Sequence, residues 1–343
     1  MTPLAFDYPI SVAILYYGGK SEDLEDTLEA VKSISDALES CGHVVRTQEV
    51  TAKNWLRAVR IPGEVVFNLV EDPMWELYLK VGKRLELLGR AQMGHDMKSF
   101  AYVTNKTVVK RKLAKFGIAT PAFRVINRRS KISEIRGLEY PLIVKPSGEH
   151  AGIGISQDSV VIDQDELRER MDYVFARFKG EVVIEELIEG REMHVTIIGN
   201  DRHVVTLPPC EIAFGGEFAD NWDVYTYEAK WEKQSWEYWD ARASVAKINR
   251  DLDIKLEKIA KKTFRAFGCR DIVRLDIRVD KHNRPYVIDL NINPSLNRHE
   301  QDATIVSMEE VGWSYEQLIE TLVAVCYKRV YGKLPHSIKL VAI

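Results

Sequence analysis

Several signatures that would classify a chain early are missing. No apolar run approaches the ~20 residues of a membrane span, and no basic stretch is followed by an apolar core near the first residues. Neither a membrane partner nor a secretory signal is therefore expected. The four cysteines, Cys41, Cys210, Cys269 and Cys326, lie far apart and form no CxxC. That removes a zinc ribbon and a redox motif, and scattered thiols suit a reducing cytoplasm, the expected location. Positive charge is not in excess. A formal net charge of −3 gives no reason to expect nucleic acid or an anionic membrane surface as partner. Neither GxGxxG nor GxxxxGK(S/T) occurs, so the dinucleotide fingerprint and the Walker loop are both absent. Internal repeats and low-complexity tracts are absent too. What remains is a 343-residue chain, 45% hydrophobic and 29% charged. It reads as an ordinary soluble protein with room for two or three small domains.

Residues 271–294, DIVRLDIRVDKHNRPYVIDLNINP, organise the rest. Ile272, Val273, Leu275, Ile277 and Val279 suit a buried strand, as do Tyr286, Val287, Ile288 and Leu290. Asp280 and Asn283 bound a turn between them. With a four-residue turn, Val279 pairs with Arg284, and Asp276 stands opposite Val287. Side chains alternate along a strand, so Asp276, Asp289 and Asn291 share one face, with Arg274 and Arg278 beside them. Three converging oxygen donors suit a hard cation such as Mg²⁺ working with a phosphate. A solvated hairpin face is the other reading of the same pattern.

Earlier in the chain, residues 10–17 form an apolar run that ends in Gly18-Gly19. A helix with one buried face follows from about residue 22 to 40, then strands at 44–50 and 65–69. This order begins a parallel α/β layer. Residues 105–117 read as a cationic helix, capped by Asn105 and ended by Gly117. Lys106 and Lys110 lie one turn apart there, placed to face a phosphate or merely solvent. A short strand carries Lys145 into a loop, residues 147–154, with three glycines. Such a loop lets backbone N–H groups approach an anion. Residues 181–187 form a strand. Residues 194–199 and 203–207 form a hairpin, and residues 251–267 a strong amphipathic helix ended by Gly268. Residues 213–239 read as an aromatic loop, with Trp222, Trp231, Trp236 and Trp239, either packed on the body or closing over a ligand.

Five pieces occur in one order: YPLIVKPS around Lys145, IEELIEGRE from Ile184 to Glu192, YEAK from Tyr227 to Lys230, RLD from Arg274 to Asp276, and DLNINP from Asp289 to Pro294. Together they resemble the ATP-grasp superfamily and, within it, the D-alanine–D-alanine ligase group. The resemblance covers roughly residues 105–297. It implies an α/β fold, with an N-terminal parallel α/β domain (1–102) and two further domains (103–188 and 189–343) gripping ATP between antiparallel sheets. By the same resemblance Lys106 and Lys145 match phosphate-binding lysines. Glu185, Glu186 and Leu187 match the adenine hinge, and Glu192 the ribose carboxylate. Asp276, Asp289 and Asn291 match the metal ligands, with Asp289 where the family usually has Glu. Arg274 and Lys230 are the candidate catalytic residues, Arg274 stabilising charge on the reacting carbonyl. The implied cofactors are ATP and Mg²⁺, one ion or two, with Mn²⁺ able to substitute. The implied partners are a small carboxylate and a small amine, and a homodimer is the family's habit.

The substrate side departs from that pattern. The family's paired serines are replaced by His150-Ala151-Gly152, and a tyrosine after YEAK by Trp231. Asp23 stands in a Glu position of the N-terminal motif. HGxxGEDG is replaced by residues 68–73. Glu300 takes the place of a serine that helps hold a carboxylate, beside Arg298 and near Ser295. The expectation is a carboxylate–amine ligase that forms an amide through an acyl phosphate, on substrates other than two D-alanines. True D-alanine–D-alanine ligation and non-catalytic ATP binding are the alternatives.

Overall fold

The computed structural model describes residues 2–19, 24–128, 135–298 and 302–333. Its first sheet is parallel, in the order β2-β1-β3-β4, from β1 (Ser11–Tyr17), β2 (Val44–Val50), β3 (Val65–Leu69) and β4 (Ala91–Gln92). Alternation along β1 explains its burial on both sides. Val12 and Ile14 meet Ile34 and Leu38 of the helix Leu24–Ser40, with Leu318 and Leu322 of the helix Tyr315–Tyr331. Ala13 and Leu15 face Leu77, Val81 and Leu85 of the helix Glu76–Leu87.

The second sheet is antiparallel, β5-β8-β6-β7, built from β5 (Phe123–Ile126), β6 (Leu142–Pro146), β7 (Val160–Val161) and β8 (Val182–Glu186). Leu142, Val144, Val182 and Ile184 bury one face against the helix Gln164–Arg177. The opposite face therefore carries Ile143, Lys145 and Glu185.

The third sheet runs β12-β11-β9-β13-β14, with β10 also on β9. Its strands are β9 (Gly190–Asn200), β10 (His203–Thr206), β11 (Cys210–Phe214), β12 (Ala241–Val245), β13 (Arg270–Asp280) and β14 (Pro285–Asn291). Met193, Val195, Ile197, Val273, Leu275 and Ile277 pack on Leu252, Leu256, Ala260 and Phe264 of the helix Arg250–Phe267. Asn249 caps that helix by accepting from Leu252 N at 2.9 Å, and Gly268 ends it with φ 64°, a left-handed turn that glycine adopts without strain. The other face buries Ile198 and Ile272 against the helices Ala303–Glu310 and Tyr315–Tyr331 and is polar further along, from Thr196 to Glu192 and from Arg274 to Arg278.

Two expectations change. The register of the β13–β14 hairpin starts at Val279 opposite Pro285, not Arg284, and Asp276 stands opposite Asp289, not Val287. The cause is a turn one residue longer than expected. Asp280 accepts from the backbone N–H groups of His282 and Arg284, both at 2.9 Å, and Asn283 takes φ 55°. That longer turn alone would have put Asp289 on the wrong face, because one residue of slip inverts a strand. A bulge between Asp276 and Ile277 leaves Ile288 without a partner and reverses the inversion. Residues 213–239 are not one loop either. They hold a 3-10 turn (Gly216–Asp220) and the short helices Tyr227–Trp231 and Trp236–Asp240. Phe218 and Trp236 meet edge-on at 4.8 Å, and Phe218 and Ala229 are buried with Ile212 of β11. Of the two readings of this stretch, these contacts favour packing on the body.

Candidate active site

The bare faces of the two antiparallel sheets look onto one cleft. Lys145 and Glu185 line it from the second sheet, and Glu192, Asp276, Arg278 and Asp289 from the third. Alternation brings these residues together. Arg278, Asp276 and Arg274 of β13 stand opposite Glu192, His194 and Thr196 of β9, while Asp289 and Asn291 of β14 stand opposite Asp276 and Arg274. Every second residue of three adjacent strands thus points at the same space.

The charges interlock. Arg278 Nη1 donates to Glu192 Oε2 at 3.2 Å and to Asp223 O at 2.7 Å, while its Nε donates to Ile188 O at 2.9 Å. Burial alone would raise the Glu192 carboxyl, but His194 and Arg278 outweigh it and bring it down to about 2. Arg274 Nε donates to Asp276 Oδ1 at 2.9 Å. Burial pushes Asp276 up, and Arg274 and His194 more than offset it, so the group is held below the usual carboxylate range. Asp289 is lowered in the same sense: burial opposes, and Lys106, whose Nζ lies 3.7 Å from Asp289 Oδ2, prevails.

Lys106 begins the helix Lys106–Lys115, which Asn105 caps by accepting from Val108 N at 3.1 Å. Its ammonium also donates to Glu149 O of the glycine loop. Lys110 does not share that outlook. It turns inward and is buried, where its ammonium meets Glu185 Oε2 as an ion pair. Lys145 donates to the other oxygen of the same carboxylate. The Glu185 side chain is thus held by two lysines, while Glu186, Leu187 and Ile188 continue the wall of the cleft. Lys230 lines the cleft with its ammonium 4.7 Å above the Tyr225 ring, and burial lowers its affinity for a proton.

Two cross-strand carboxylates, Asp276 and Asp289, stand opposite each other with Asn291 two residues further along β14, and these three could hold a cation. Among the described residues no trio of His, Cys, Asp and Glu gathers for a metal. Hard oxygen donors fit Mg²⁺. Like charges placed directly opposite on a ladder repel, and a cation between Asp276 and Asp289 would relieve that repulsion. Asn291 Oδ1 also accepts from Asn293 N at 3.2 Å.

The candidate residues for organic substrates are placed less coherently. Trp231 is 41% exposed, and its indole N–H donates to Ala151 O at 2.8 Å. Gly152, with φ 85°, lets the glycine loop come close to the Tyr227 backbone, which a Cβ there would meet at 3.3 Å. His150 lies on the same loop, its ring 6.2 Å from that of Trp75, and burial followed by the charge of Lys106 lowers it to about 4. Ser295 accepts from Asn297 N at 3.2 Å. Arg298 pairs with Glu316 at 3.3 Å and lies over the Tyr315 ring. Asp23 and Glu300 lie outside the described residues.

Four groups near the site escaped the sequence reading. His194 lies 3.4 Å from Glu192 and 3.6 Å from Asp276; its spacing of two from Glu192 was the available signal. Tyr225 lies below Lys230. Glu71, after β3, accepts from Asn293 Nδ2 at 2.6 Å. Asp302 caps the helix Ala303–Glu310, accepting from Thr304 N at 2.8 Å. Its burial raises its carboxyl even though Arg274 pulls the other way.

A cleft between two antiparallel sheets, with lysines on one wall and cross-strand aspartates on the other, defines an ATP-grasp protein. The comparisons agree. The family model described as D-ala D-ala ligase C-terminus matches residues 113–324. The D-alanine–D-alanine ligase of Bordetella petrii is 28% identical over 332 residues, covering 94% of each chain. An uncharacterized protein, y4sG, of Sinorhizobium fredii is 29% identical over 310 residues, covering 88% of each. In fold, the chain is similar to the D-alanine–D-alanine ligase of Bacillus anthracis solved with ATP, with a TM-score of 0.76 at 20% identity over 94% of this chain and 99% of that one. The enzyme of Coxiella burnetii gives 0.71 at 17% identity, over 94% and 95%. The chain belongs to the D-alanine–D-alanine ligase family, and its class is that of ATP-dependent ligases that form carbon–nitrogen bonds.

Proposed function

We propose that this protein joins a small carboxylate to a small amine through an acyl phosphate, releasing ADP, with substrates other than two D-alanines. The observation that carries the reading is the convergence of Lys106, Lys145, Asp276 and Asp289 on one cleft, set against a replaced substrate side where Trp231 bonds the Ala151 carbonyl. A carboxylate is a poor electrophile, and transfer of a phosphoryl group gives it a good leaving group.

In this reading the backbone of residues 186–188 borders the base, Glu192 meets the ribose, and Lys106 and Lys145 meet phosphate oxygens. Asp276, Asp289 and Asn291 would hold Mg²⁺, which when bound neutralises charge on the phosphates. Arg274, permanently charged and already oriented by Asp276, stabilises the oxyanion formed when the amine attacks. Lys230, its proton affinity lowered by burial, supplies a second donor at the same end of the cleft. All of these groups bind and orient, so no protein nucleophile is needed.

The test is an ADP-release screen with Mg²⁺-ATP against amino acids and carboxylic acids, singly and in pairs. Turnover that needs two organic partners supports the proposal and names them. Efficient turnover with D-alanine alone supports a second reading, ligation of two D-alanines, which the named relatives favour. ATP binding with no stimulated turnover across the panel would count against both.

A further inference from the structure

Glu185 has more positive charge around it than it needs. Its side chain is 1% exposed, and two ammonium groups meet it, Lys145 at Oε1 and Lys110 at Oε2. One cation neutralises one carboxylate. The two lysines differ in what else they can reach. Lys145 lines the cleft, and Lys110 does not. The Lys110 side chain is 3% exposed and that of Lys145 is 13%. Lys110 is also tethered. Its ammonium donates to Thr120 Oγ1 at 3.0 Å, and that hydroxyl donates to Val287 O of β14 at 2.8 Å. A chain of contacts thus runs from β6 through β8 and the helix Lys106–Lys115 to the strand that carries Asp289. Among the described residues Lys145 has no such second anchor in its hydrogen bonding.

A buried carboxylate stripped of its only counter-ion is strongly unfavourable. If Lys145 alone balanced Glu185, a phosphate could recruit that ammonium only by leaving Glu185 uncompensated. We propose that Lys110 is a positioning residue that holds the charge balance of Glu185, so that the Lys145 ammonium is free to transfer to a nucleotide phosphate. The inference rests on the nucleotide-binding reading above. Of the two cations that hold Glu185 below the usual carboxylate range against burial, Lys110 contributes more than Lys145. That ordering is consistent with a permanent partner and a transferable one.

The experiment measures binding of ATP and of adenosine to the full chain in the presence of Mg²⁺, for wild type, Lys110→Met and Lys110→Arg. Adenosine lacks the phosphates that Lys145 would meet. In Lys110→Met, ATP should bind about tenfold or more weakly, a loss of about 1.4 kcal/mol, while adenosine binding stays near wild type. Lys110→Arg should recover most of the ATP affinity. Should Lys110→Met fail to fold, the double variant Lys110→Met/Glu185→Gln removes both charges, and its ratio of ATP to adenosine affinity should return toward wild type. Equal weakening of both ligands, unchanged ATP binding, or no recovery of the ratio in the double variant would overturn the inference while the nucleotide reading stands. Wild type that binds neither ligand would overturn the nucleotide reading and this inference with it.

Discussion

The proposed nucleotide end and the proposed substrate end are held together differently. At the first, three charge pairings join separate elements. Arg278 meets Glu192, Lys106 meets Asp289, and Glu185 meets both Lys110 and Lys145. At the substrate end most partners are local or exposed. Ser295 accepts from Asn297, Arg298 pairs with Glu316, and Trp231 reaches a backbone carbonyl. A change at the first end leaves a buried ion without its partner, which is costly. A change at the second end loses one hydrogen bond or one exposed pair, which is cheap. In the proposed reading, a change of substrate would fall where the cost is low, at residues 150–152 and Trp231.

The sharpest way to break this contrast is at Asp289. Asp289→Ala should reduce substrate-stimulated ADP release by about a hundredfold or more. Its thermal midpoint should fall, because Lys106 loses its partner, but by less than in Arg278→Met, because Asp276 also loses a like-charged cross-strand neighbour. Activity within a few fold of wild type would remove Asp289 from the proposed site.

Arg278 tests the interlocking itself. Arg278→Met leaves Glu192 buried and removes donors to Ile188 O and Asp223 O, so urea unfolding should show a loss of about 3–5 kcal/mol. The acid limb is linked to the same pair. The Glu192 carboxyl sits at about 2 in the folded protein, below its ordinary 4.5. A depressed pKa contributes stability that is complete above pH 4.5 and disappears as pH falls toward 2. Unfolding free energy followed over that window should fall in wild type and fall less in Arg278→Met. Identical slopes would mean that the pairing does not hold the carboxyl down.

The mildest change sharpens the contrast from the other side. Trp231→Phe keeps a ring and deletes the indole donor to Ala151 O. It should cost about 1 kcal/mol or less in stability and raise the KM of an organic substrate several-fold, with the KM for ATP unchanged. A matching rise in the KM for ATP would show that the two ends are not independent.

Sequence alone determined which residue types stand on which strands. The alternation of β13 and β14 marks Arg274, Asp276, Asp289 and Asn291 as one face, and the family pattern places Lys106, Lys145 and Glu192 opposite or beside it. Local chemistry was equally legible in the Asn105 cap and the Gly268 stop, because caps and left-handed turns depend on a few neighbouring residues. Only the tertiary structure decided the register. The longer turn held by Asp280 and the bulge at Ile288 each shift the ladder by one, and only their sum keeps Asp289 beside Asp276. The same holds for Lys110. Its place one turn from Lys106 suggested a shared outlook, yet the direction a helix face takes depends on what packs against it, and here that is Glu185, 75 residues later in the chain. Periodicity is a property of neighbours along the chain. The pairing of buried charges is set by which strands the fold lays side by side.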